Sequence, residues 1–188
     1  LNSGMLKIFR NKANIGMSAN FLKAFEIVES EWLWIISDDD EILPNAYEIT
    51  FSKLKSIPNE IGFIKFSLSN IDYLKKFQII NNLYQFIDYN SISKYYFYDF
   101  IFISNGLYRV EQFKKLLEIG YKHCHTYIPH FMMITEYIKN KGNILILKEE
   151  IIRYKIPEIN YSYGLVGGLG VGGIKEINFN LSKNYTKK

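Results

Sequence analysis

Three consecutive carboxylates, Asp38, Asp39 and Asp40, follow closely on the apolar run Trp32 to Ile36. Adjacent like charges repel one another unless water or a cation lies among them. In the middle of a polar loop such a run is a solvated acidic turn, but here the preceding WLWII sets it at the edge of a core. If the strand continues through the acids, Asp38 and Asp40 point the same way, as alternate residues of a strand do. Two carboxylates so placed offer hard oxygen ligands to Mg²⁺ or Mn²⁺ and leave coordination sites open for diphosphate oxygens. A continuous apolar run between polar flanks reads as a strand buried on both faces of a mainly parallel sheet. Open α/β sheets bind their ligands at the carboxyl ends of such strands.

Other residues with chemical potential are fewer. The three histidines, His123, His125 and His130, all fall in one short stretch. His123 and His125 have the spacing of a transition-metal pair, but without an evident fourth ligand they read as polar loop residues. The segment GLVGGLGVGG, from Gly164 to Gly173, is neither preceded by a clear strand nor followed by a strong helix, so it reads as a loop or linker and not as a phosphate cradle. A phosphatase built on a nucleophilic Asp needs Thr or Val patterns and a distant Lys that the context DDDEILPN does not offer.

The elements that must position these groups follow from periodicity. Leu6 to Phe9 reads as a short strand, and Arg10 to Met17 as a polar loop. A helical pattern then places Phe21, Phe25 and Val28 on one face, with Ser18 as the expected N-cap. A helix is expected from Pro44 to about Lys55. From Ile61 to Ser69, Ile64, Phe66 and Leu68 alternate with Phe63, Lys65 and Ser67, as in a half-buried strand. Residues 70–98 read as an irregular, partly helical insertion. Ile101 to Arg109 follows as a strand, then Val110 to Ile119 and Phe131 to Lys141 as helices stopped by Gly120 and Gly142. Strands near Ile144 to Leu147 and Ile151 to Tyr154 close the pattern.

Composition sets the outer limits. The chain has 188 residues, 48% hydrophobic and 22% charged, which suits one globular domain with a sizeable core. Its net charge of +4 comes with scattered lysines and no basic stripe, so nucleic acid is not expected as a partner. The single cysteine, Cys124, excludes an internal disulfide and fits a reducing compartment such as the cytoplasm. No apolar run approaches the roughly 18 to 20 residues of a membrane span.

Two stretches resemble glycosyltransferase family 2, the inverting sugar transferases of GT-A fold. The first is N-x-G-x-x-x-N, as Asn14, Gly16 and Asn20. The second, WLWIISDDDEILPNA, is similar to the family's D-x-D segment. Weaker echoes are ISNGLYR (Ile103 to Arg109), similar to the acceptor-side strand, and the helix and strand from Phe131 to Tyr154. The resemblance covers about residues 5–155. It implies an α/β GT-A fold with a mixed, mainly parallel sheet and helices on both faces. It implies a nucleotide-sugar donor, UDP-linked by prevalence, and a glycan or lipid-linked acceptor in bacterial surface polysaccharide, lipopolysaccharide or capsule synthesis. The implied setting is the cytoplasm or the inner face of the cell membrane, with peripheral membrane contact.

Residue by residue, the resemblance has Asp38 contact the donor's ribose or uridine and join Asp40 as a ligand of Mn²⁺ or Mg²⁺. Asp39 lines the same turn, while Asn14, Gly16 and Asn20 shape the nucleotide side. Where the family supplies an acidic base, this chain reads Tyr-Ile-Pro-His and puts His130 at the start of a helix. A neutral imidazole there can accept a proton near neutral pH, and the positive end of the helix dipole favours its neutral form. The competing reading has His130 cap the helix while Asp99 or Glu136 acts. Residues 1–156 are expected to form a partial, N-terminally truncated GT-A domain and 157–188 a glycine-rich loop and tail, since the family's opening strand-helix-strand is not seen before Leu1. A donor pocket short of that unit predicts weak activity, and a non-catalytic remnant or binding module of the same fold is the alternative.

Overall fold

The computed structural model describes residues 7–67, 79–92 and 100–153, with side chains left aside at 90–92. Asp99, the glycine-rich run and the 157–188 tail lie outside the described residues, as does Tyr154.

Apolar residues on both faces of one strand decide where the sheet is centred. The five-stranded sheet runs in the order β1 (Trp32–Trp34), β5 (Gly106–Arg109), β3 (Ile61–Ser67), β6 (Asn143–Glu150) and β4 (Ile79–Ile80). β3 lies in the middle and is buried at all seven positions. Phe63 joins the core on one face, and Ile64 and Phe66 the core on the other. The expectation of a half-buried strand is thus corrected, because even its polar members Lys65 and Ser67 are buried. β1 and the two residues after it also pack both ways, with Leu33 and Ile35 towards one core and Trp32, Trp34 and Ile36 towards the other. It is only half-buried, however, because it forms the sheet's edge.

The sheet is mixed. β3 and β6 pair in parallel, whereas β1 with β5, β5 with β3, and β4 with β6 pair antiparallel. β1, β3 and β6 therefore share one direction. A separate ribbon pairs β2 (Glu41–Ile42) with β7 (Ile152–Arg153).

Helices cover both faces. On one lie α1 (Gly16–Ile27), α3 (Leu83–Ile92), α4 (Val110–Lys114), α5 (Leu117–Lys122) and α6 (Pro129–Lys139), around Phe25, Phe63, Tyr108 and Phe113. On the other, α2 (Ala46–Leu54) joins the ribbon over Ile64, Phe66 and Leu107. The helix expected from Val110 to Ile119 is broken in two, and Gly120 lies inside α5 instead of ending it. A Cβ on Gly120 would come 2.4 Å from Leu22 and 2.8 Å from Met133, so the residue lets α1 and α6 approach closely. Residues Lys7 to Arg10 form exposed coil, not the expected strand.

Candidate functional site

β1 stops at Trp34, and the chain turns through Asp38 to Asp40 before entering β2. The strand alternation that would have aligned Asp38 with Asp40 is therefore absent, and the carboxylates are set by a turn. Two hydrogen bonds tie the end of β1 and that turn to one buried residue, Ser104. The Trp34 indole N–H donates to the Ser104 carbonyl at 2.7 Å, and the Ser37 amide donates to the Ser104 hydroxyl at 2.9 Å. The Ser104 hydroxyl also lies near the Asp40 carboxylate and favours its charged form. Within the turn, Ser37 donates to Asp39, and the Asp40 amide reaches the Ser37 carbonyl at 3.4 Å.

Asp38 and Asp39 are exposed, while Asp40 is partly buried. Burial raises the Asp40 pKa, the nearby Ser104 hydroxyl opposes this, and the Asp39 charge adds to the rise. Its Oδ2 is shielded from solvent and has no hydrogen-bond partner. An orphaned carboxylate oxygen among hard acids fits a divalent cation of the Mg²⁺ or Mn²⁺ type. Such ions are held by one or two carboxylates plus phosphate oxygens and water. Among the described residues no group of three or more His, Cys, Asp or Glu side chains is gathered closely enough to hold a metal ion unaided.

Asn14, Gly16 and Asn20 come together on an open groove of about 250 Å³, shared with Asn11, Ile15 and Met17. The Asn14 side chain accepts the Gly16 amide at 2.9 Å, and Asn11 donates to Asn20 at 2.9 Å. Gly16 has φ of +78°, which a glycine adopts without strain. The cap expected of Ser18 is corrected: α1 begins two residues earlier, Asn14 satisfies an early amide, and Ser18 is buried inside the helix. Among the described residues no hydrogen bond joins this groove to the acid turn.

His130 lies elsewhere. α6 starts at Pro129, so His130 occupies the first turn of a helix buried at nine of its eleven positions. It is 1% exposed, its ring lies 5.5 Å from that of Phe21, and Nε2–H donates to the Ile101 carbonyl at 2.8 Å. Its pKa is pushed down to about 4, mainly by burial, with the Ile101 bond opposing and the Lys65 charge assisting. Nδ1 is left as a buried acceptor without a partner. Enclosure thus separates His130 from any acceptor hydroxyl, which counts against the expected role as base. Glu136 pairs instead with Lys139 at 2.7 Å, near the far end of α6. The His123 and His125 rings stack with centroids 6.4 Å apart.

Sequence reasoning overlooked Ser104. The available signal was the Ser104-Asn105 pair interrupting an apolar stretch just before Gly106. Asn105, fully buried, donates to the Phe66 carbonyl at 2.8 Å and ties the same segment to β3. Arg109, at the end of ISNGLYR, serves the scaffold: it lies over Trp32 at 4.5 Å and donates to the Ile61 carbonyl at 3.0 Å.

A mixed sheet with three strands of one direction, helices on both faces and an acid turn beyond β1 defines an α/β domain of the GT-A type. The family described as "Glycosyl transferase family 2" matches residues 2–138, and the chain belongs to that family. Its members transfer glycosyl groups between a nucleotide-sugar donor and an acceptor, and commonly use divalent metals. No curated protein sequence matches the chain.

Proposed function

We propose that the chain is a metal-dependent, inverting hexosyltransferase that takes its sugar from a nucleoside diphosphate, UDP by preference. The acceptor is a hydroxyl of a glycan or lipid-linked saccharide in bacterial surface polysaccharide synthesis, such as lipopolysaccharide or capsule. The observation that carries this reading is the Asp40 carboxylate, on a turn anchored to Ser104, with one oxygen shielded and unpartnered. Asp38 and Asp40 hold Mn²⁺ or Mg²⁺, which when bound neutralises charge on the departing diphosphate. Asp38 also meets the ribose or the uridine, Asp39 completes the turn, and Asn14, Gly16 and Asn20 shape the nucleotide side from their shared groove. The acceptor oxygen bonds to the anomeric carbon as the bond to the diphosphate breaks. The acceptor's proton passes to a base, and the burial of His130 supports a positioning role for it over that one.

Residues 1–156 form the transferase domain in this reading, and 157–188 the tail. The proposed place of action is the cytoplasmic face of the membrane, by peripheral contact, where lipid-linked acceptors are met. No described helix is long and apolar enough to cross a membrane. Calorimetry with UDP and MnCl₂ tests the reading. UDP should bind much more tightly with Mn²⁺ than without it, and Asp40→Ala should abolish that gain, whereas binding indifferent to Mn²⁺ would defeat the reading.

A further inference from the structure

Ser104 is 1% exposed and lies 67 residues along the chain from Ser37, yet every polar atom of its side chain and its carbonyl faces the acid turn. A serine hydroxyl has one proton to give and two lone pairs to receive with. Here a lone pair takes the Ser37 amide at 2.9 Å, at the start of the turn, and the hydroxyl lies near enough to the Asp40 carboxylate to favour its charged form. The carbonyl of Ser104 takes the Trp34 indole, so the end of β1 and the turn beyond it share one anchor. That anchor is itself fixed from behind: the neighbouring Asn105 carbonyl accepts the Phe66 amide of β3 at 2.8 Å, and Asn105 donates back to the Phe66 carbonyl. Three residues before Ser104 on the same segment, the Ile101 carbonyl is held by His130. The turn is therefore referenced to the most deeply buried strand of the sheet through a single side chain.

We infer that Ser104 is a positioning residue for the acid turn, orienting the Asp40 carboxylate towards a divalent cation and its nucleoside diphosphate from the acceptor-side segment. The inference rests on the proposed function for its ligand, but its geometry does not. Groups that orient a ligating carboxylate from behind cost roughly ten- to hundredfold in metal affinity when removed. The same link couples the two halves of the site, since a displacement of residues 101–105 moves Ser104 and with it Asp40.

The test uses the full chain with UDP titrated in the presence and absence of MnCl₂. Ser104→Ala should weaken Mn²⁺-dependent binding by roughly ten- to hundredfold and leave metal-free UDP binding as it was. Equal losses with and without Mn²⁺, or no loss, would overturn the inference by reducing Ser104 to a packing role or to none. If Ser104→Ala does not melt cooperatively, Ser104→Cys takes its place, having similar size and a much weaker hydrogen-bonding group. A wild-type chain that binds no UDP with Mn²⁺ sinks the proposed function, and the amide hydrogen exchange of Ser37 then decides for Ser104. Faster exchange at Ser37 in the variant upholds the anchor, and unchanged exchange removes it.

Discussion

The short segment from Ile101 to Ser104 is held at its two ends by opposite kinds of polar group. At one end the Ser104 hydroxyl accepts the Ser37 amide of the acid turn, where Asp38 and Asp39 are exposed and Asp40 is partly buried. At the other, His130 donates to Ile101 from inside a helix with almost no accessible surface. Each end leaves one atom unpartnered, Asp40 Oδ2 and His130 Nδ1. The difference lies in what can reach them. Asp40 Oδ2 is itself shielded but belongs to a partly exposed carboxylate beside two exposed acids, whereas the imidazole is sealed on all sides, remains neutral and bears the roughly 1 to 3 kcal/mol cost of a buried, unsatisfied acceptor. Two similar deficits in hydrogen bonding thus have different meanings: one suits a ligand, and the other is a structural cost offset by packing.

The largest expected effect separates the two ends by activity. Asp40→Ala should lower turnover by roughly a thousandfold, about 4 kcal/mol in the barrier, with the melting temperature held or raised because a partly buried charge is gone. His130→Gln keeps an N–H to offer Ile101, so turnover should remain within a few-fold of wild type. If steady-state kinetics instead show a loss of a hundredfold or more in His130→Gln at unchanged KM, the imidazole is a base after all and the contrast fails.

The next effect is on stability, and its sign follows from the proton balance. Folded His130 holds its pKa near 4 against an ordinary 6.5, so between those values the unfolded chain binds more protons than the folded one. This contribution to stability is complete above about pH 6.5 and is lost as the pH falls through about 4. It amounts to about 3 kcal/mol between pH 7 and pH 4. Urea melts at the two pH values should show the loss in the wild type and its reduction by about that amount in His130→Gln. Equal losses in both would place the acid sensitivity elsewhere.

Asp38 to Asp40 stood out in the sequence because residue type alone marks them, and the neighbouring apolar run marks the edge of a core. Their geometry did not, since an apolar run does not reveal where strand pairing stops, and β1 ends at Trp34. The GT-A arrangement was legible for a similar reason: its signals lie in local runs and in the Asn14-Gly16-Asn20 spacing. Ser104 was hidden because its partners, Ser37 and Trp34, are 67 and 70 residues away in sequence. The enclosure of His130 was hidden because it depends on Phe21 of α1 and on the Ile101 carbonyl, and no periodicity within α6 encodes either. Gly120 shows the same limit, a presumed helix stop whose cause is the close approach of Leu22 and Met133.

The smallest effect serves as a control on the comparison, from the end of α6 remote from His130. The helix closes with the Lys141 amide bonding Ile138 at 3.0 Å and the Gly142 amide bonding Tyr137 at 2.9 Å. This is the paired closure that usually puts a glycine at the left-handed position. Here the left-handed residue is Lys141, with φ of +64°, and Gly142 comes one place later. The displacement has a cause: a Cβ on residue 142 would lie 2.4 Å from the Tyr137 ring, so the glycine is needed for contact and the lysine bears the strain. Lys141→Gly relieves that strain but gives the unfolded chain more freedom, so the net gain is modest, about 0.5 to 1 kcal/mol. Thermal melts should show this rise while UDP affinity and the pH dependence assigned to His130 remain as in the wild type. A change in either would mean that the two ends of α6 are coupled, and that variants at His130 report on the whole helix instead of on one buried ring.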